Sequence, residues 1–317
     1  MVHRKIGAVC GALRHLALVS LAAGLTAYAG AQGMPAAGTG STGSTLELTA
    51  TAGPVQLPPM NGIAHIAVRV KDIAASLAFY HKLGYDQAFA MTAKDGTVSQ
   101  SFLKLDDRQF IELYPVSDRD KDVGFMHLCF EGADLNALHD AYVAEGLTPI
   151  SVRTAGAGNL LFTMKGLQQY SVPQNIEYTQ YMPGSLHSKD FGQHLGPDRV
   201  GDKMTVVALA MQDPAAARAF YIDKLGFTPT PGSANRLTLP GSSGEQVEIV
   251  PAAELGARSS IILTTPDLNK SEAQLKRQEV AYQRASASSA DAKGKARKIE
   301  MISVTDPDGN IVRIEQQ

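Results

Sequence analysis

The sequence predicts an α+β fold made of four βαβββ modules, and three repeated features carry this prediction. An apolar strand-like run, an aspartate and a helix-like run follow one another at residues 62–85 and again at 206–227. The same order occurs at 126–147 and 260–280, and further strand-like runs follow each helix. Modules of about 60 residues cannot bury a sheet alone, so adjacent modules should pair into two cup-shaped sheets.

The first and third modules share their helix signals. Asp72 and Asp213 each precede an alanine-rich run and are expected to cap a helix at its N-terminus. Gly84 and Gly226 follow these runs and should end the helices. Pro214 suits the first helical position, where its missing N–H costs nothing.

The second and fourth modules share the tripeptide Asp-Leu-Asn, which begins at Asp134 and at Asp267. Each module then closes with a strand that carries a glutamate. These glutamates are Glu112, Glu177, Glu248 and Glu315 in the first, second, third and fourth modules.

The N-terminus has the features of an export signal. A basic start is followed by an apolar run and by the small-x-small tripeptide Ala29-Gly30-Ala31, so residues 1–31 are predicted to be a signal peptide. Residues 32–60 are rich in Gly, Ser, Thr and Pro and are predicted to be a flexible linker. The mature protein is therefore expected in the periplasm or outside the cell.

The composition of the chain limits which partners it is expected to bind. The formal net charge is -2, and cleavage after residue 31 leaves 26 basic against 31 acidic residues, or -5. A nucleic-acid partner would require a basic face, so we expect none, and we expect no membrane contact after cleavage. Cys129 alone remains after cleavage, which excludes an internal disulfide. A small-molecule substrate is the expected partner, and the modules could pair within one chain or between two chains of a homodimer.

The helix ends and the closing strand identify a family resemblance. The segment AFYIDKLGF at 219–227, the ending TDPDGNIVRIE at 305–315 and the βαβββ order resemble the vicinal oxygen chelate superfamily. This superfamily includes glyoxalase I, fosfomycin-resistance proteins, methylmalonyl-CoA epimerase and extradiol dioxygenases. The resemblance covers residues 61–317 and implies the glyoxalase/bleomycin resistance/dioxygenase fold, with a divalent metal on the floor of a cup-shaped sheet.

The position seven residues before each helix-opening aspartate indicates where a metal would bind. It is occupied by His65 and His127 in the first two modules, and by Val206 and Ser260 in the last two. Side chains alternate along a strand, so His65 faces away from the apolar side chains beside it. Glu112 is likewise the polar member of an alternating strand.

The resemblance implies a role for each of these residues. Glyoxalase-like members place metal ligands at the positions of His65, Glu112, His127 and Glu177. Histidine and carboxylate ligands suit Zn, Ni, Mn, Fe or Co. One metal-side glutamate moves a proton in these relatives, which makes Glu177, or failing it Glu112, the candidate catalytic base.

The leading functional hypothesis is an exported, metal-dependent lyase or isomerase of the glyoxalase type. One alternative is an Fe(II) extradiol-type dioxygenase that uses His65, His127 and Glu177. Another is a periplasmic protein that binds a small molecule without converting it. The first two modules, residues 61–186, are expected to hold the metal.

For the remaining regions the sequence predicts supporting or connecting roles. Residues 202–317 form the second pair of modules and contain no histidine, so they are expected to support, cover or dimerise. Residues 187–201 are assigned to a linker, although this segment, with His187 and His194, could instead fold as a lid over the metal. Cys129 either lines the cup beside His127 or is a buried small hydrophobic residue.

Overall fold

The computed structural model describes residues 57–241, 243–290 and 296–316. The predicted signal peptide at 1–31 lies outside these residues, and so does the predicted linker at 32–60 apart from its last four residues. The first strand begins at Met60, one residue before the start of the predicted first module. Within the described ranges, no helix is long and apolar enough to cross a membrane.

Four modules of one strand, one helix and three strands follow one another, which confirms the predicted fold class. The first comprises β1 (Met60–Val70), α1 (Ile73–Lys82), β2 (Gln87–Thr92), β3 (Val98–Lys104) and β4 (Phe110–Pro115). The second comprises β5 (Gly124–Gly132), α2 (Leu135–Ala144), β6 (Arg153–Thr154), β7 (Leu160–Gln168) and β8 (Pro173–Gln180), and the short helix α3 (Leu186–Lys189) follows it. We call these two modules the first half.

The third and fourth modules form the second half. The third comprises β9 (Lys203–Met211), α4 (Pro214–Asp223), β10 (Thr228–Pro229), β11 (Arg236–Thr238) and β12 (Gln246–Pro251), and the short helix α5 (Ala252–Leu255) follows it. The fourth comprises β13 (Ser260–Thr265), α6 (Leu268–Arg277), β14 (Gln283–Ala290), β15 (Ala296–Thr305) and β16 (Ile311–Gln316).

Every module helix begins at the aspartate that the sequence predicts as its cap. The Asp72 carboxylate accepts hydrogen bonds from the backbone N–H groups of Ala74 and Ala75, at 2.8 and 3.1 Å. Asp134, Asp213 and Asp267 accept equivalent bonds at α2, α4 and α6. Each cap satisfies an N–H group that has no partner within the helix, which typically contributes about 1 kcal/mol.

A glycine ends the first helix for two reasons. Gly84 has a φ of +89°, a conformation that costs a residue with a Cβ atom about 1 kcal/mol or more. A Cβ atom at this position would also lie 2.4 Å from the carbonyl oxygen of Asp198 in the segment between the halves. The backbone there therefore packs too closely for any side chain.

Each half forms one eight-stranded sheet within the chain. The strand order is β2-β3-β4-β1-β5-β8-β7-β6 in the first half and β10-β11-β12-β9-β13-β16-β15-β14 in the second. In both sheets the opening strands of the two modules pair antiparallel at the centre, and each pairs parallel with the closing strand of its own module. The four central strands of the first half thus carry the four predicted metal ligands.

The two faces of the first sheet contact different surroundings. Ile66, Val68 and Val70 of β1 belong to a large apolar core with buried residues of α1 and α2. On the opposite face lies a smaller aromatic cluster that contains Phe102 and Phe110. The alternation along β1 therefore separates a helix-covered face from an open face.

Candidate metal centre

The four predicted site residues meet on the open face of the first sheet. His65 lies on β1, Glu112 on β4, His127 on β5 and Glu177 on β8. Ala67 is the register partner of both Glu112 and His127, which places these two at the same level on either side of β1. The strands that the sequence separates by many residues are therefore neighbours at the site.

The distances between the side-chain tips are short. The Nε2 atoms of His65 and His127 lie 3.1 Å apart. Glu112 Oε2 lies 3.2 Å from the first of these nitrogens and 3.4 Å from the second. Glu177 Oε1 lies 3.5 Å from His65 Nε2, and Glu177 Oε2 lies 3.9 Å from His127 Nε2. We call these four residues the first site.

The spacing fits a shared divalent ion. Bonds of about 2.0–2.1 Å to nitrogen and oxygen separate neighbouring ligand atoms by roughly 2.8–3.0 Å in octahedral geometry and roughly 3.3–3.4 Å in tetrahedral geometry. His65, His127 and Glu177 each offer a ligand atom, and these atoms lie within 4.8 Å of one another. Glu112 Oε2 lies closer to both imidazole nitrogens than the nearest oxygens of Glu177 do, which makes Glu112 a fourth candidate ligand.

A bound cation would also balance the charges at the site. His65, Glu112 and His127 are only 4, 5 and 6% exposed. A proton on both Nε2 atoms would direct two N–H groups at each other across 3.1 Å. One divalent ion would instead balance both carboxylates while the imidazoles remain neutral.

The neighbouring charges set the ionisation of the site without a metal. Burial alone would raise the pKa of Glu112, but the charges and hydrogen bonds of His65 and His127 hold it well below its ordinary value. Burial would lower the pKa of His127, but the charge of Glu177 and contact with Glu112 raise it. The site therefore keeps Glu112 ionised and stabilises positive charge beside it.

A cavity of about 180 Å³ opens onto the site. His65, Glu112 and Glu177 contribute to its wall. The cavity is also lined by aromatic and apolar groups, including Phe102 and Leu161. A small molecule in this space would lie against the candidate metal ligands.

Several cavity residues had no assigned role in the sequence prediction. They are Gln100, Tyr114, Arg153 and Asn159. Tyr114 follows Glu112 by two residues and so shares its face, a period-two signal that could have found it. Burial and the charge of Glu112 raise the pKa of Tyr114, which keeps its hydroxyl protonated. Asn159 lies in a turn, where the sequence gives no comparable signal.

Four further residues near the site, Cys129, Tyr178, His187 and His194, differ in whether they line the cavity. Cys129 is fully buried among the aromatic residues of the open face, where burial raises its pKa, and it is absent from the cavity wall. Tyr178 is in the main core, where its hydroxyl accepts a hydrogen bond from the Tyr142 hydroxyl at 2.9 Å. His187 of α3 lines the cavity, whereas His194 contacts Asp190 on the same segment.

The second sheet has no equivalent ligand set among the described residues. Strand register aligns Glu248 with Glu112, because each pairs with the residue two positions after the ligand position of its opening strand. It aligns Arg313 with Glu177 by the same criterion. Glu315, the carboxylate expected there, lies two residues further along β16. We call Val206, Glu248, Ser260 and Arg313 the second site.

Charged side chains pair directly at the second site. Arg313 Nη2 donates to Ser260 Oγ at 3.0 Å and lies 3.5 Å from Glu248 Oε2. Arg236 lies 3.6 Å from Glu248 and 3.8 Å from Glu315. The guanidinium groups of Arg313 and Arg236 thus balance the carboxylates at this site.

Comparisons with known proteins agree with this architecture. Residues 64–163 match the sequence profile of the Glyoxalase/Bleomycin resistance protein/Dioxygenase superfamily. No curated protein sequence matches the chain significantly.

Solved structures share the fold at low sequence identity. An Mn(II)-bound glyoxalase from Novosphingobium aromaticivorans is 14% identical, with a TM-score of 0.60 over 82% of this chain and 83% of that one. The 2,3-dioxygenase LapB from Pseudomonas sp. KL28 is also 14% identical, with a TM-score of 0.58 over 83% and 94% of the two chains. An extradiol ring-cleaving dioxygenase from B. fuscum is 14% identical, with a TM-score of 0.57 over 83% and 73%. The profile match covers residues 64–163 of the first half, and the solved structures show that the chain shares the fold of these glyoxalase and dioxygenase structures.

Proposed function

We propose that this protein is an exported, metal-dependent lyase or isomerase of the glyoxalase type, acting on a small substrate with two neighbouring oxygen atoms. The observation that carries the proposal is the approach of Glu112 Oε2 to both imidazole nitrogens, at 3.2 and 3.4 Å. Glu112 thereby joins the two histidines and Glu177 in a set of four candidate metal ligands. The export part of the proposal depends on the N-terminal signal pattern alone.

His65, Glu112, His127 and Glu177 would hold the ion. A divalent metal there would act as a Lewis acid on a substrate carbonyl oxygen. Zn, Ni, Mn, Fe and Co all accept this donor set.

The two glutamates are suited to different tasks. Glu112 contacts both imidazoles, and its low pKa keeps it an ionised ligand. Glu177 is the more exposed, with 13% of its side chain accessible, and its contacts to the imidazoles are longer. Glu177 is therefore the better candidate to take a proton from one substrate carbon and return it to the next.

The cavity favours a substrate smaller than a glutathione adduct. Among the described residues in its wall, Arg153 is the single permanently charged cation, whereas glutathione carries two carboxylates. A volume of about 180 Å³ also suits a molecule of a few carbon atoms or one ring. An exported enzyme would in addition meet little glutathione.

Elemental analysis of the purified mature protein tests the metal site. Wild type should contain about one divalent ion per chain, and the double variant His65→Ala with His127→Ala should contain almost none. The matched control is Glu248→Gln, which alters the equivalent carboxylate of the second half and should leave the metal content unchanged. Absence of metal from wild type after supplementation with each candidate ion would favour the small-molecule binding protein.

A second candidate function is supported by a specific subset of the site. His65, His127 and Glu177 alone form a compact group of two histidines and one carboxylate, the set that suits a non-haem Fe(II) dioxygenase. Oxygen uptake with a catechol, present with iron and absent with zinc, would select this function. Glu112→Gln distinguishes the two functions. It should reduce the rate of a reaction that needs four metal ligands more than the rate of one that needs three.

A further inference from the structure

His187 is a buried histidine without a hydrogen-bond partner. It is 3% exposed, and neither ring nitrogen has a partner among the described residues. Its ring stacks on Tyr181, with centroids 4.6 Å apart and planes 13° apart. The rings of Phe102 and Phe110 contact it edge-on. Aromatic surroundings cannot satisfy the polar atoms of this imidazole.

Asn159 lines the same cavity and also has a buried polar atom without a partner. The side chain is 4% exposed, and its Nδ2 group donates to Thr179. Its Oδ1 atom has no donor among the described residues. A buried polar atom left unpaired carries an uncompensated desolvation cost, so two such side chains in one cavity wall point to a ligand.

The segment that carries His187 is fixed against the first sheet. The backbone N–H of Leu186 donates to the carbonyl oxygen of Ala157 at 2.8 Å. Lys104 is fully buried, and its ammonium group donates to the carboxylate and the carbonyl oxygen of Asp190 at 2.7 and 2.8 Å. His187 is therefore held in the cavity wall by contacts on both sides of α3.

We propose that His187 and Asn159 form a polar subsite that binds a hydroxyl group of the substrate in addition to its two neighbouring oxygens. This inference rests on the proposed function, because it takes the first site as the place where those two oxygens bind. It names the substrate class as a small polyoxygenated molecule with at least one further hydroxyl. The subsite makes His187 a specificity-determining residue.

The chemistry of the two side chains selects a hydroxyl group. Asn159 Oδ1 can only accept, so the ligand group must donate, and an ionised carboxylate cannot. Burial and the nearby His65 lower the pKa of His187 to about 3, which leaves a neutral ring with one donor and one acceptor. A hydroxyl group both donates and accepts, so it can pair with either residue.

Two probes that differ by one hydroxyl group test the subsite. Catechol and pyrogallol both offer neighbouring oxygens, and pyrogallol carries a third. Their affinities for the zinc-loaded mature protein are measured by calorimetry under nitrogen. Wild type should bind pyrogallol about tenfold more tightly than catechol, as one satisfied buried hydrogen bond implies.

Three variants test whether His187 causes the preference for pyrogallol over catechol. His187→Phe should reduce the affinity ratio to about one without changing the zinc content. His187→Gln should restore part of the ratio, because its amide donates and accepts. His81→Phe, a change at an exposed histidine of α1, should leave the ratio at its wild-type value.

Each outcome decides a different point. Equal affinity of wild type for the two probes, or an unchanged ratio in His187→Phe, would overturn the subsite while the metal site stands. Failure of both probes to bind the zinc-loaded wild type would overturn the proposed function, and the subsite with it.

Discussion

The first and second sites occupy equivalent places in two sheets of the same topology, yet they balance buried carboxylates differently. At the first site, two imidazoles and two carboxylates converge on a common point. At the second, Ser260 and Arg313 replace His127 and Glu177, and the guanidinium group contacts the remaining carboxylate. The same fold thus offers a set of candidate cation ligands in one half and supplies positively charged side chains in the other.

Glu177→Arg converts the first site toward the second and should have the largest effect. A unit positive charge about 4 Å from a bound divalent ion costs roughly 8 kcal/mol at an effective dielectric constant of 20, or about a millionfold in metal affinity. Competition with a calibrated chelator measures this loss. Glu177→Gln, which removes a ligand without adding charge, should lose less, and equal losses in both variants would contradict the electrostatic explanation.

A bound metal ion should stabilise the first half, and no equivalent ion should stabilise the second half. An ion supplied at 100 times its Kd should raise the free energy of unfolding by about 2.7 kcal/mol, because it binds only the folded chain. Urea titration with and without a chelator measures the difference. His65→Ala with His127→Ala should remove the response, and a response that survives in this double variant would place the ion elsewhere.

Arg313→Ala should weaken the second site by about 1 kcal/mol. Arg313 and Glu248 are partly exposed, so solvent screens the ion pair and limits the loss. The free energy of unfolding from urea titration provides the measurement. Lys298→Ala breaks a more exposed pair with Glu300 and should change almost nothing. A larger loss in the control would show that the second site is not stabilised by its guanidinium group.

The smallest effect concerns pH in the metal-free protein. His127 has a raised folded pKa, so its contribution is complete below its unfolded value of about 6.5 and is lost as pH rises through the folded value. The chelated protein should therefore become less stable between pH 6 and pH 8.5. Urea titrations at the two pH values measure this change. His127→Gln should lack the His127 contribution, and a wild-type stability that rises over this interval would contradict the assignment.

The sequence predicts the modules and the first site because both depend on local periodicity. Asp72 and its counterparts cap helices through contacts two or three residues away, and His65 points to the open face by alternation along one strand. The register of Arg313 against Glu177 depends on strand pairing, which a loop of different length hides. The place of His187 depends on contacts between a connecting segment and a distant sheet, so no local pattern contains it.

The buried pair of Lys104 and Asp190 limits how this chain can be divided. Lys104 lies on β3 of the first half, but its carboxylate partner lies beyond residue 186, where the second module pair ends. A fragment truncated at that residue would lose the closer counterion of a fully buried ammonium group and keep only the half-exposed carboxylate of Asp107, 3.7 Å away, so it should be less stable. Dissection or recombination of the halves should therefore cut after His194, so that the anchoring carboxylate stays with the lysine it neutralises.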